Sequence, residues 1–180
     1  MKVLITRPRA QSESFANALR AAGFEPIYFP VIETRSIDNN PELDNAIKNI
    51  EKYDWAVFTS VNAVDVVFKN SVGSVFSVVK VAAIGPKTAE ALRKHNIEPD
   101  FVPDEYVAEA ILSGLGDLKN KSVLLPRAEI ARKELPEAIV KSGGIAHEII
   151  VYQTLPTEVD VDGLSALKSG VDVITFSSAS

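Results

Sequence analysis

Apolar residues along this chain form short continuous runs, separated by stretches in which they recur every third or fourth position. Residues 3–6 make the first run, of the kind that fits a strand buried on both faces. Pro8 closes it, and Ser12 with its acidic neighbour Glu13 opens a predicted helix whose apolar face is Phe15, Ala18, Leu19 and Ala22. Gly23 falls where a C-terminal cap belongs, because glycine takes positive φ without strain. The next extended run, 27–32, is interrupted by Pro30, which assigns it to an edge or a crossing segment. Further helices are predicted at 41–50, 63–68, 88–94, 107–115 and 134–141. Further strands are predicted at 55–58, 78–84, 101–102, 122–125 and 148–152. Strands alternating with helices of this size mean a parallel sheet covered by helices on both faces. Such sheets bind ligands at the carboxyl ends of their strands.

The pattern also repeats. Val3-Leu4-Ile5-Thr6-Arg7-Pro8 returns as Val123-Leu124-Leu125-Pro126-Arg127-Ala128, a shift of 120 positions. The same shift sets Phe15, Leu19 and Gly23 against Leu135, Ile139 and Gly143, and Val31 and Thr34 against Val151 and Thr154. Further on, Asp54-Trp55-Ala56-Val57-Phe58-Thr59-Ser60 reappears as Asp172-Val173-Ile174-Thr175-Phe176-Ser177-Ser178. A repeat this long reads as a duplicated βαβ-type domain, since solenoid units run only about 20 to 50 residues. The second copy reaches Ser180 with less chain than the first copy occupies.

Composition narrows the function classes. A net charge of −5 speaks against a general nucleic-acid binder, which needs a basic patch to neutralise phosphates. The absence of cysteine excludes disulfides and thiolate chemistry, and two histidines outside any ligand-like cluster argue against a structural zinc site. No apolar run reaches the roughly 18 residues of a membrane span, and no signal-peptide pattern opens the chain. The expectation is a cytoplasmic protein.

The candidate chemistry sits at five strand-to-helix turns: Thr6-Arg7-Pro8, Thr59-Ser60-Val61-Asn62, Ile84-Gly85-Pro86-Lys87-Thr88, Pro126-Arg127-Ala128 and Ser177-Ser178. Each offers hydroxyls, small residues or an arginine before a helix, whose unpaired N–H groups and partial positive charge suit a carboxylate or phosphate. Plain helix capping explains Ser, Thr and Asn at such places equally well. Gly85-Pro86-Lys87-Thr88 lacks the spaced glycine of a phosphate-binding loop, and no Gly-x-Gly-x-x-Gly supports a dinucleotide. His95 reads as a solvated helix end and His147 as a surface strand residue. Tyr152 has two readings, a packed strand tyrosine or a phenol aimed into a cleft as proton donor.

Four segments in register, Leu4-Ile5-Thr6-Arg7-Pro8, Phe58-Thr59-Ser60-Val61-Asn62-Ala63-Val64, Ile84-Gly85-Pro86-Lys87-Thr88-Ala89 and Val151-Tyr152-Gln153-Thr154, resemble the uroporphyrinogen-III synthase family. The resemblance implies an α/β fold of two flavodoxin-like parallel-sheet domains, joined by two extended connectors at 31–35 and 152–157. Residues 1–35 and 156–180 would form a discontinuous and incomplete first domain, and 36–155 a complete second one. The implied reaction is that of a cyclising hydro-lyase. It takes linear hydroxymethylbilane to the type III tetrapyrrole with inversion of the last ring and loss of water, without cofactor or metal.

On this resemblance Tyr152 is the donor that assists hydroxyl departure. Thr59, Ser60, Asn62, Gly85, Thr88, Ser177 and Ser178 hold the substrate's carboxylates, with Arg7 and Arg127 as lesser candidates that each could instead pair with a neighbouring acid. Because the substrate is strongly anionic and the chain net acidic, the cleft is expected to be locally positive. The resemblance also implies a monomer at full length, in transient contact with the preceding pathway enzyme, and poor turnover by the 180-residue chain alone. The competing expectations are a non-catalytic bilobal module that captures a small anion and signals by closing, and a flavodoxin-like domain with a phosphate-bearing cofactor.

Overall fold

The structure, a computed structural model, describes residues 1–69, 73–105 and 108–176. In chain order its main elements are β1 (Lys2–Ile5), α1 (Glu13–Ala21), β2 (Glu25–Tyr28), β3 (Ile32–Ser36), α2 (Pro41–Lys48), β4 (Trp55–Phe58), α3 (Val61–Lys69), β5 (Lys80–Ala83), α4 (Pro86–Lys94), α5 (Ala108–Leu115), β6 (Ser122–Ala128), α6 (Glu134–Lys141), β7 (Ile145–Pro156), α7 (Val161–Ser169) and β8 (Val173–Thr175). The chain divides into two compact units: Met1–Arg35 with the chain from Thr154 onward, and Ser36–Gln153. The boundaries fall in β3 and β7, which are neighbours in one sheet.

The larger unit is built on β7-β6-β4-β5 of the sheet ordered β3-β7-β6-β4-β5, and these four strands run parallel. Alternation along the strands feeds two cores, as a period of two requires. Trp55, Val57, Ala82, Val123 and Leu125 face one core, with residues of α5 and α6. Ala56, Phe58, Val81, Ala83 and Leu124 face the other, with residues of α2, α3 and α4. Helices therefore cover both faces. Val57, Phe58, Leu124 and Leu125 are fully buried, each contributing about 1.5–3 kcal/mol by area. The rings of Phe58, Phe68 and Phe76 meet at centroid distances of 4.9 to 6.0 Å.

The smaller unit is a parallel sheet of described strands in the order β2-β1-β8. Val3, Leu4 and Ile5 are its buried spine. Two threonines lock its third strand: Thr6 Oγ1 donates to the Thr175 carbonyl at 2.8 Å, and Thr175 Oγ1 to the Leu4 carbonyl at 3.0 Å. The order β2-β1-β8 has the same form as β7-β6-β4 in the larger unit, a strand, a helix and a parallel strand on one side, with a third strand on the other.

Several details depart from the sequence reading. The expected apolar face of α1 is largely solvent-facing: Phe15 is exposed and Ala16 is the buried residue. Ser12 does not cap the helix; its hydroxyl donates to the carbonyls of Arg7 and Pro8, closing the preceding loop and setting the helix phase. Val78 belongs to a 3-10 turn rather than β5 and is exposed. Helix α7, between Asp160 as its N-cap and Gly170 at φ 96°, was not anticipated. Gly23 does take the expected positive φ, 80°.

Candidate functional site

Parallel strands put their C-terminal ends along one edge of the larger sheet. Thr59 and Ser60 follow β4 there, Gly85 follows β5, and Tyr152 lies in the second half of β7. Ser60 stands immediately before α3, and the Ala63 N–H donates to its Oγ at 3.1 Å, the usual N-cap bond. The Tyr152 phenol oxygen lies 3.2 Å from the same Oγ. Its ring is packed in the core, leaving the residue 8% exposed, and its carbonyl accepts from the Glu129 N–H at 3.0 Å. Packing and a polar contact therefore coexist at this tyrosine.

Asn62 is half-buried in the first turn of α3. Gly85 is the buried N-cap residue of α4, and Pro86 follows at the first helical position, where its missing N–H costs nothing. Thr88 is buried in the first turn of α4. That turn offers backbone N–H groups without intrahelical partners.

Both arginines make contacts within their own units, Arg127 the more extensively. Arg127 Nη1 donates to Glu148 Oε2 at 2.8 Å, and Nη2 donates to the Arg132 carbonyl. Its Nε is buried without a hydrogen-bond partner among the described residues. Arg7 Nε, in the smaller unit, donates to Gln11 Oε1 at 3.1 Å. Ser177 and Ser178 lie outside the described residues.

A polar array that the sequence did not reveal sits at the opposite, N-terminal strand edge. Tyr53 Oη lies 2.5 Å from His147 Nδ1, and His147 Nε2 lies 3.1 Å from Glu42 Oε1. Burial, and then the Glu42 charge, push the Tyr53 phenol above its ordinary range. The three residues come from separate elements, so no spacing announces them. His147 is thus half-buried and partnered rather than a plain surface residue. His95 is the C-cap of α4 and stacks on Phe68 at 4.9 Å, instead of being simply solvated. Among the described residues no group of three or more His, Cys, Asp or Glu side chains could hold a metal ion. Nor is any described helix long and apolar enough to cross a membrane.

Comparison with known proteins gives this geometry a context. The family profile described as uroporphyrinogen-III synthase HemD matches residues 13–180. The uroporphyrinogen-III synthase of Synechococcus elongatus is 31% identical over 185 residues, covering 98% of this chain and 70% of that protein. The porphyrin biosynthesis protein HemD of Ruminiclostridium josui is 31% identical over 189 residues, covering 99% of this chain and 37% of that protein. A crystal structure of mutant uroporphyrinogen III synthase from Thermus thermophilus superposes with a TM-score of 0.69 at 20% identity, covering 97% of this chain and 71% of that one. The chain belongs to the uroporphyrinogen-III synthase family.

Proposed function

We propose that this chain acts as a uroporphyrinogen-III synthase, a cyclising lyase of porphyrin biosynthesis that converts hydroxymethylbilane to the type III isomer. The observation that supports a catalytic site here is the contact of 3.2 Å between Tyr152 and Ser60 at the C-terminal strand edge. A phenol at such an edge can protonate the departing terminal hydroxyl, a contribution of about 10² to 10⁴ in rate. Holding the two ends of the bilane in reacting geometry contributes more, about 7 to 11 kcal/mol of barrier. Backbone N–H groups in the first turns of α3 and α4, with Thr59, the Ser60 backbone, Asn62, Gly85 and Thr88, hold substrate carboxylates; burial of the Thr88 side chain favours its backbone for this. Arg127 is internally paired, so its part in this reading is to shape the end of β6. Arg7, Ser177 and Ser178 remain proposed substrate contacts. Family membership disfavours the non-catalytic alternative.

The domain reading is also part of the proposal. The matching orders β2-β1-β8 and β7-β6-β4 support a duplication. The chain covers 70% of the cyanobacterial relative, and we infer slow turnover by the 180 residues alone. The test is to incubate hydroxymethylbilane with the gene product extended to its natural stop codon, and separately with the 180-residue chain. The longer product should give a large excess of type III over type I uroporphyrin. Type I alone, at the uncatalysed rate, from the longer product would remove the assignment. Tyr152→Phe should lower kcat by about 10²-fold with KM nearly unchanged.

A further inference from the structure

We propose that Ser60 is a positioning residue for Tyr152, donating a hydrogen bond to the phenolic oxygen as that oxygen gives up its proton. This rests on the reading of Tyr152 as the acid and assigns a task to a hydroxyl that otherwise looks like a helix cap. Ser60 Oγ accepts the Ala63 N–H at 3.1 Å and lies 3.2 Å from Tyr152 Oη. A serine hydroxyl has one proton and two lone pairs. With one lone pair given to Ala63, two arrangements of the Tyr152 contact remain. In the first, Tyr152 donates inward and its proton is occupied. In the second, Ser60 donates to Tyr152 Oη, and the phenolic proton turns away toward an acceptor at the strand edge. In the second arrangement the phenolic proton can pass directly to substrate.

The fixed position of Oγ and the burial of the phenol support this division of labour. The Ala63 bond fixes Oγ, so α3 itself aims the serine hydroxyl. Tyr152 is 8% exposed, so little water reaches the negative charge that grows on Oη. A hydrogen bond to an ionised oxygen is stronger than one to a neutral oxygen, so the Ser60 contact tightens as the proton leaves. The step balances as follows. The phenolic O–H bond breaks and its proton joins the terminal hydroxyl of the bilane. The carbon–oxygen bond then breaks, its electron pair departing with water, while the pyrrole nitrogen lone pair fills the carbon to give a cationic azafulvene. Loss of the pyrrole N–H proton returns the tyrosinate to a phenol.

The test compares Ser60→Ala, Ser60→Gly, Ser60→Thr, Tyr152→Phe and the Ser60→Ala/Tyr152→Phe double variant, all in the gene product extended to its stop codon. Turnover of hydroxymethylbilane and thermal midpoint are measured for each. Glycine caps a helix nearly as well as serine, so Ser60→Gly removes the hydroxyl with little loss of stability. Alanine and glycine should lower kcat by about tenfold at unchanged KM. Threonine should restore it, and Ser60→Ala should cost nothing further once Tyr152 is phenylalanine. An active glycine variant would reduce Ser60 to a cap, and a rise in KM at constant kcat would make it a substrate contact. An undiminished loss in the Tyr152→Phe background would uncouple the pair; each of these three results overturns the inference alone. If Tyr152→Phe leaves kcat intact, the acid role itself fails and this inference with it.

Discussion

Arg127 is an arginine at 5% exposure whose counter-ion, Glu148, keeps 30% of its side-chain surface. That asymmetry gives unequal consequences for removing either partner. Glu148→Ala strands a buried guanidinium and should destabilise by about 3–5 kcal/mol in urea denaturation. Arg127→Met should cost much less, because Glu148 retains Lys133 at 3.3 Å and access to water. Asp54 supplies a pH-dependent counterpart. Lys121 donates to it at 2.8 Å and the Ser122 N–H at 2.9 Å, holding its carboxyl below the ordinary 3.8 against the opposing effect of burial. A depressed folded value means stability present above pH 3.8 and lost as pH falls through the lower folded value. Acid titration of Asp54→Asn, followed by circular dichroism, should show a flatter decline over that window. In sequence, Arg127 and Arg7 look alike because both follow a strand. What gives Arg127 its carboxylate partner is Glu148, 21 positions away on the neighbouring strand, and no local pattern carries that pairing.

At the scale of elements, α7 shows why an amphipathic search can pass over a helix. Its one buried residue is Gly163, so the helix seats by its backbone rather than by an apolar stripe. A Cβ there would lie 2.6 Å from the Phe29 ring and 2.7 Å from the Tyr28 carbonyl oxygen. Gly163→Ala should therefore cost about 1–3 kcal/mol despite the better helix propensity of alanine, measurable as a lower urea midpoint. Strand β6 presents the reverse case, a strand longer than its sequence suggests. Pro126 reads as a strand end, yet pairing with β7 continues to Ala128. Its register with β4 covers only Val123 and Leu124, so Pro126 lies where β6 has a partner on one side alone. Strand 55–58 and helix 134–141, by contrast, were legible to the residue, because a fully buried run and a capped amphipathic segment are local signals.

Across the whole molecule the alternation of strands and helices was enough to read a parallel α/β architecture. The array of Tyr53, His147 and Glu42 was not legible, because it is made by three elements meeting. The two sheets differ in how completely they are covered. Val57 and Leu124 in the larger unit are fully buried, whereas Val173 and Ile174 of β8 are 38% and 42% exposed. Amide hydrogen exchange should be faster in β8 than in β4 and β6 by about 10²-fold or more, since local opening follows burial.

The passage of the chain through β3 and back through β7 also has a consequence in time. β1 and β2 leave the ribosome first, but the strand that flanks β1 on its other side, β8, begins at Val173. Synthesis at about 5–20 residues per second delivers all of Ser36–Gln153 in between. Strands β1 and β2 must therefore wait while a later-made unit acquires everything it needs to fold, so the smaller unit closes after the larger although its synthesis starts earlier.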